Sequence, residues 1–271
     1  MSLLEQITAH KRREVEQKKE LFPVKLLEKS LFYPTPVVSL RKYLLREDKS
    51  GIIAEFKRHS PSRGPIHPYA DVEHVSIGYM QAGASALSVL TDEHFFKGSN
   101  QDLQTAREFN FCPILRKDFI LDEYQIVEAR SIGADAVLLI AECLQKEAVK
   151  HLAAFARSLG LEVLLEVHSR EQLDKWTPDI ALVGVNNRNL QDFSVEVRTS
   201  FELLPHLPQE ALPVSESGLN DPETVVDLQR AGFKGFLIGE HFMSQPDPPK
   251  ACAAFIKAMR KIAAEKAIFP G

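Results

Sequence analysis

Asp122-Glu123-Tyr124-Gln125-Ile126-Val127-Glu128-Ala129-Arg130-Ser131-Ile132-Gly133 runs directly into Ala134-Asp135-Ala136-Val137-Leu138-Leu139-Ile140-Ala141. The first stretch opens on acidic residues and spaces Tyr124, Ile126, Val127 and Ile132 as a helix would. It stops at Gly133, where a residue closing a helix takes positive φ and a β-carbon is penalised. The second stretch is apolar without strict alternation, the pattern of a strand covered on both faces. The same junction recurs at Ala82-Gly83-Ala84, Leu159-Gly160-Leu161 and Ala231-Gly232-Phe233. Outward from these junctions, candidate strands begin near Ile52, Ser85, Cys112, Asp135, Leu161, Ala181, Leu212 and Gly235. Each interval between them is long enough for a crossover helix. Asp221-Pro222-Glu223-Thr224 reads as an N-cap, a first-turn proline and acidic first-turn chemistry. Eight strands alternating with helices predict an α/β chain forming a (β/α)8, or TIM, barrel, for which roughly 250 residues is typical. The alternative is an open doubly wound sheet, but no GxGxxG follows the first strand.

The chain of 271 residues is expected to form a single barrel domain over 1–271, with residues 1–48 as an N-terminal helical extension covering one end. Residues 2–20 read as a charged helix and Val24 to Leu31 as a shorter one. The cluster Lys11, Arg12, Arg13, Lys18 and Lys19 alternates with Glu14, Glu16 and Glu20, which predicts a solvated helix face rather than an anion-binding arm. Lys+Arg number 33 against Asp+Glu 37, a formal charge of −4, so no global field draws the chain to nucleic acid or an anionic membrane. The longest apolar run, Ala136 to Ala141, is far short of the roughly 20 residues of a membrane span. Residues 1–20 lack a signal-peptide core. Cys112, Cys143 and Cys252 form no CxxC pair, so a disulfide framework or zinc site is not expected and a reducing cytoplasm fits. His59, His94, His168 and His241 fall near strand ends without metal-ligand spacing. Trp176 and Cys112 read as packing residues.

Charged residues stand where these strands end. Strand 1 carries Glu55 and Lys57 on one face by the period of two, and strand 3 ends Arg116-Lys117-Asp118. Glu166 closes strand 5, Asn186-Asn187-Arg188 closes strand 6 and Ser215-Glu216-Ser217-Gly218 closes strand 7. A single inward Lys–Glu pair can simply satisfy itself. Five such ends at one mouth call for a ligand, and cations beside carboxylates suit general acid–base work. A phosphate site is expected from backbone N–H groups at Gly218, Gly239 and Glu240, where the loops after strands 7 and 8 meet a short helix. The loop Ser60-Pro61-Ser62-Arg63-Gly64 offers further donors. The Glu240 side chain is expected to turn outward, away from the dianion.

Together these segments resemble the indole-3-glycerol phosphate synthase family. The resemblance rests on Ile53-Ala54-Glu55-Phe56-Lys57-Arg58-His59-Ser60-Pro61-Ser62, Ala86-Leu87-Ser88-Val89-Leu90-Thr91-Asp92 and Pro113-Ile114-Leu115-Arg116-Lys117-Asp118-Phe119-Ile120. It continues through Leu164-Leu165-Glu166-Val167-His168, Gly184-Val185-Asn186-Asn187-Arg188-Asn189-Leu190, Ser215-Glu216-Ser217-Gly218 and Leu237-Ile238-Gly239-Glu240. His241-Phe242 and Arg63 depart from the family's usual residues. The resemblance implies a small-molecule substrate, 1-(2-carboxyphenylamino)-1-deoxyribulose 5-phosphate, and the products indole-3-glycerol phosphate, CO2 and water. It implies Lys117 as the acid of ring closure, Glu166 as the base of dehydration and Lys57 as a second acid. Glu55 and Asn186 would hold the lysines and the sugar hydroxyls, with Ser60, Arg188 and Ser217 as supporting ligands. Phe96, Phe119 and Leu190 would line the pocket for the aromatic ring. No cofactor or metal is needed, and a monomer or weak homo-oligomer is expected. Two rivals stand beside this reading: a Schiff-base aldolase using Lys57 or Lys117, and a barrel that binds a sugar phosphate without turning it over.

Overall fold

The computed structural model describes residues 2–190 and 192–268. Its eight principal strands are β1 (Ile52–Phe56), β2 (Ala86–Leu90), β3 (Ile114–Lys117), β4 (Ala136–Ile140), β5 (Glu162–Val167), β6 (Leu182–Asn186), β7 (Leu212–Glu216) and β8 (Gly235–Ile238). All pair in parallel, each with its sequence neighbour, and β1 pairs with β8 to close the barrel. Each begins within two residues of its predicted start. The junction glycines carry the fold as expected: Gly83 and Gly133 close their helices at φ +99° and +91°, and Gly160 and Gly232 also lie at positive φ.

The helices are α1 (Leu3–Leu21), α2 (Val24–Leu27), α3 (Leu40–Leu44), α4 (Val72–Ala82), α5 (Asn100–Phe109), α6 (Glu123–Ser131), α7 (Lys146–Ser158), α8 (Arg198–Leu203), α9 (Pro222–Ala231), α10 (Glu240–Met243) and α11 (Pro248–Ile268). Two expectations are corrected. The helix predicted from Val24 to Leu31 stops at Leu27. Between β5 and β6 there is no α-helix, only the 3-10 turn Glu171–Lys175. That crossover is the shortest in the chain, and Pro178 disfavours helical backbone at Thr177 just before it.

Alternation along the strands divides the core. Ile53, Leu115, Leu138, Leu164, Val214 and Leu237 fill the barrel interior, while Ile52, Leu87, Ile114, Val137 and Leu165 pack outward in the larger cluster. The extension covers both ends of the barrel rather than one. Leu40 and Leu44 of α3 plug the end where the strands begin. There Ser39 and the Arg41 amide donate to the Glu162 carboxylate at 2.5 and 2.9 Å. At the other end α1 lies across the mouth, and Leu3, Leu4 and Ile7 line its cavity.

The solvated-face reading of the basic cluster fails at Lys11, which is 1% exposed. Its ammonium lies 2.8 Å from Asp92, 3.1 Å from Asp118 and 2.8 Å from Glu14. The reason is helical spacing: Lys11 shares a face with buried Ile7 and Val15, four residues to either side. Arg12 and Arg13 do face solvent.

Candidate active site

Consecutive side chains of β3 point to opposite faces, which sorts three adjacent charges. Arg116 and Asp118 face outward, joined at 3.1 Å. Lys117 faces the lumen, where its ammonium donates to Glu166 Oε2 at 3.0 Å and to Glu216 Oε2 at 2.8 Å. Asn186, ending β6, donates from Nδ2 to Glu166 Oε1 at 3.0 Å. On β1, Lys57 pairs with Glu55 at 2.9 Å, and Ser88 donates to Glu55 at 3.3 Å. Five predicted residues, Glu55, Lys57, Lys117, Glu166 and Asn186, therefore line one cavity at the strands' C-terminal ends.

Burial pulls the Lys117 pKa down, but the carboxylates of Glu166, Glu216 and Glu55 outweigh it and raise it above the usual lysine value. Burial likewise opposes ionisation of Glu166; Lys117, His168 and the Asn186 amide overcome it, and its pKa falls. Glu216 has less compensation. Burial and the neighbouring Glu166 push its pKa up to about 7, against the pull of Lys117.

The reading of the sequence counted Glu216 among the charged strand ends but gave it no role beside the lysines. A signal existed. Val214 and Glu216 share a strand face, and Val214 packs in the barrel interior. Gly184 on β6 leaves the space: a β-carbon there would lie 2.1 Å from Glu216 Oε1.

One wall of the cavity is apolar. Phe96 and Phe119 stand with ring centroids 6.1 Å apart, flanked by Leu190 and by Leu3, Leu4 and Ile7 of α1. The α1 residues were not foreseen as part of the site. Ser60 is buried, accepts from the Arg63 amide at 3.2 Å and lines this same cavity.

At the opposite end a contiguous hollow is lined by Ser217, Gly218, Gly239, Glu240, Arg63 and Arg188. Ser217 and Gly218 take φ +67° and +74°, two successive left-handed residues that bend the chain sharply after β7. A β-carbon at Gly239 would meet Glu55 Oε1 at 2.6 Å, and one at Gly218 would meet Val195 at 2.5 Å. Bulk at either position thus disturbs neighbouring side chains as well as the hollow. The outward turn expected of Glu240 is overturned. Its carboxylate pairs with Arg63 at 2.9 Å and with Arg188 at 3.2 Å, because two guanidiniums attract it more strongly than solvent does.

Three of the four singled-out histidines, and Trp176, have ordinary partners. His59 lies 2.8 Å from the Phe95 carbonyl, His94 stacks on His10 and His241 packs on Phe255. The Trp176 indole donates to the Ile180 carbonyl at 3.3 Å. Burial pushes the Cys112 thiol up to about 12, as suits a small core residue. Among the described residues, no helix is long and apolar enough to cross a membrane.

The family model described as indole-3-glycerol phosphate synthase matches residues 4–255. The indole-3-glycerol phosphate synthase of Bacteroides thetaiotaomicron is 50% identical over 258 residues, covering 95% of this chain and 99% of its own. That of Campylobacter jejuni is 41% identical, covering 94% and 100%. Among solved structures, the tryptophan synthase α subunit of Legionella pneumophila superposes with a TM-score of 0.59 at 13% identity, covering 83% of this chain and 98% of its own. This last likeness speaks to the barrel alone. With the family model matched over 4–255 and these relatives aligned over nearly their whole length, the chain belongs to the indole-3-glycerol phosphate synthase family.

Proposed function

We propose that the mouth converts 1-(2-carboxyphenylamino)-1-deoxyribulose 5-phosphate to indole-3-glycerol phosphate, CO2 and water, with Lys117 as the acid of ring closure. The observation that carries this reading is the Lys117 ammonium, held between buried Glu166 and Glu216 with an aromatic wall on one side and a cationic hollow on the other. As the ring carbon attacks the sugar carbonyl, negative charge grows on oxygen. A fixed cation in a water-poor site stabilises it and can deliver the proton. Loss of CO2 then leaves its electron pair to the ring. Glu166 takes the proton released on dehydration, and Lys57, oriented by Glu55, protonates the departing hydroxyl. Asn186 keeps Glu166 aimed. Phe96, Phe119 and Leu190 hold the aromatic ring. Backbone N–H groups at Gly218, Gly239 and Glu240 receive the phosphate, supported by Ser217 and Arg188, while Ser60 faces the neighbouring substrate cavity.

The aldolase rival needs a free amine, and Glu166, Glu216 and Glu55 keep Lys117 charged. Borohydride added with substrate should leave no covalent adduct on the protein. Fluorescence of the indole product, followed at steady state, tests the reaction directly. Glu166→Gln is expected to lower kcat by about 10² or more while KM changes little, since amide and carboxylate are nearly isosteric and only one accepts a proton. A raised KM with unchanged kcat would make Glu166 a binding group.

A further inference from the structure

The helix α1 does more over the mouth than close it. Ile7 lines the cavity, and one turn further along the same buried face Lys11 reaches two aspartates. Each aspartate follows a barrel strand and fixes the backbone of a ring that faces the cavity. Asp92, two residues after β2, accepts from the Phe95 and Phe96 amides at 2.7 and 3.2 Å through one oxygen. Its other oxygen lies 2.8 Å from the Lys11 ammonium. Asp118, directly after β3, accepts from the Phe119 amide at 2.8 Å and lies 3.1 Å from the same ammonium.

The two aspartates differ in what else holds them. Asp118 also accepts from Thr91 Oγ1 at 2.6 Å and from Arg116 at 3.1 Å. Asp92 is wholly buried, and among the described residues Lys11 is the one cation paired with it. The turn from Asp92 to Gly98 is built around that carboxylate. Besides the two amides it receives, the Gly98 amide donates to the Asp92 carbonyl at 2.9 Å, and Lys97 is left-handed at φ +54°. Gly98 packs so closely on the Leu90 carbonyl that a β-carbon would not fit. α1 meets the turn again through His10, whose ring lies 4.3 Å from that of His94 and edge-on to Phe95 at 5.6 Å. An ionised acceptor makes shorter and stronger hydrogen bonds than a neutral one. Stripped of its cation, a carboxylate this buried must take up a proton or draw in water, and either loosens its hold on the Phe95 and Phe96 amides.

We infer that Lys11 is a positioning residue for the aromatic ring of the substrate: paired with Asp92, it sets the turn that aims Phe96 into the cavity. The inference rests on the function proposed above and extends it to α1. Lys11 touches no reacting atom; it acts through Asp92 and Phe96. Ring closure needs the attacking ring carbon held against the sugar carbonyl, and small displacements of such a carbon are costly. None of Lys11, Asp92 and Phe96 lines the phosphate hollow, so the two ends of the substrate are held independently.

The test reads the two ends of the ligand separately. Inorganic phosphate, as a competitive inhibitor, reports the hollow; the substrate with its ketone reduced to an alcohol reports the whole mouth without turning over. In Lys11→Met the reduced substrate is expected to bind about tenfold more weakly. The inhibition constant of inorganic phosphate should stay within about twofold, as for a distant and independent site. Phe96→Leu supplies the deciding background: with the ring gone, adding Lys11→Met should weaken the reduced substrate by less than about threefold. Asp92→Asn is isosteric and leaves Lys11 paired with Glu14 and Asp118, so it should repeat the pattern in both backgrounds even where Lys11→Met fails to fold. An equal loss in both backgrounds, or a parallel weakening of phosphate, would overturn the positioning role. A wild-type chain that forms no indole product would instead defeat the function it rests on.

Discussion

Arg116 and Lys117 are neighbours in sequence and belong to two different charge networks. Outside the barrel, Arg116 donates to Glu128 at 2.6 Å, to Thr91 at 2.9 Å and to the Gln125 carbonyl at 2.8 Å. Asp118 completes that network by bridging Arg116 to Lys11. Burial opposes ionisation of Asp118, but Lys11 and Arg116 hold its carboxyl well below the usual range; Glu128 is depressed as well. Both carboxylates that pair with Arg116 are thus held in the ionised form. Inside the barrel, Glu166 and Glu216 divide one lysine, and their shifts run in opposite directions. Open cavity adjoins them. Burial and ion pairing are common to both networks and mark neither as catalytic. Opposed shifts beside a cavity distinguish the inner one.

If that distinction is right, removing a cation from each network should have crossed effects. Lys117→Ala is expected to lower kcat by roughly 10² to 10⁴ while substrate binding largely survives. Its cost in stability should be the smaller of the two, because carboxylates beside a cavity can reach water or take up a proton. Steady-state kinetics with substrate titration of the inactive variant checks both parts. Lys11→Met leaves Asp92 and Asp118 facing a buried apolar chain, and should cost about 3–5 kcal/mol by denaturant unfolding. Its kcat in the folded state should change far less than that of Lys117→Ala, with KM rising as α1 loosens over the aromatic wall. Equal losses of rate and stability in both variants would dissolve the comparison.

The barrel was legible because its signals are local and repeated: a glycine at positive φ and an unalternating apolar run fix where each strand begins. The missing helix between β5 and β6 was not, since spacing sets only whether a helix fits. On β3, the period of two separates Lys117 from Arg116 and Asp118, but three charges in a row give no apolar residue to say which face is inside. Lys11 could have been read as buried from Ile7 and Val15; its basic neighbours obscured that spacing. Glu216 was hidden by Ser-Glu-Ser-Gly, which suits a phosphate loop equally well. Glu240 was misplaced because its repulsion from phosphate was weighed without Arg63 and Arg188. Pairing partners distant in sequence are what the sequence withheld.

A smaller effect sharpens the difference through pH. Glu216 keeps its proton up to about 7 in the fold, against a usual value of 4.5. A group with a raised folded pKa stabilises fully below its unfolded pKa, and that stability is lost as pH rises through the folded value. Asp118 has the opposite sign, its contribution being lost only as pH falls below 3.8. Between pH 4.5 and 7 the inner network should therefore erode stability while the outer one stays constant. Glu216→Gln is expected to flatten that slope in urea unfolding at a series of pH values. An unaltered slope would mean that Glu216 ionises normally.

The smallest expected effect lies at the phosphate end, where Glu240 pairs with both Arg63 and Arg188. Each guanidinium spends part of its charge on that carboxylate. A dianion entering the hollow gains from the arginines and loses from Glu240, so the net field is weaker than two cations alone would give. Glu240→Gln removes the opposing charge and keeps a side chain of nearly the same shape. Arg63 is largely exposed, with 61% of its side chain accessible, so solvent screens much of its share. The gain should fall on Arg188, whose side chain is 22% accessible. Titration calorimetry with inorganic phosphate is expected to show binding tightened by less than about tenfold, with the gain shrinking as salt rises. Weaker binding in the glutamine variant would show that Glu240 holds the arginines in place for phosphate rather than competing with it.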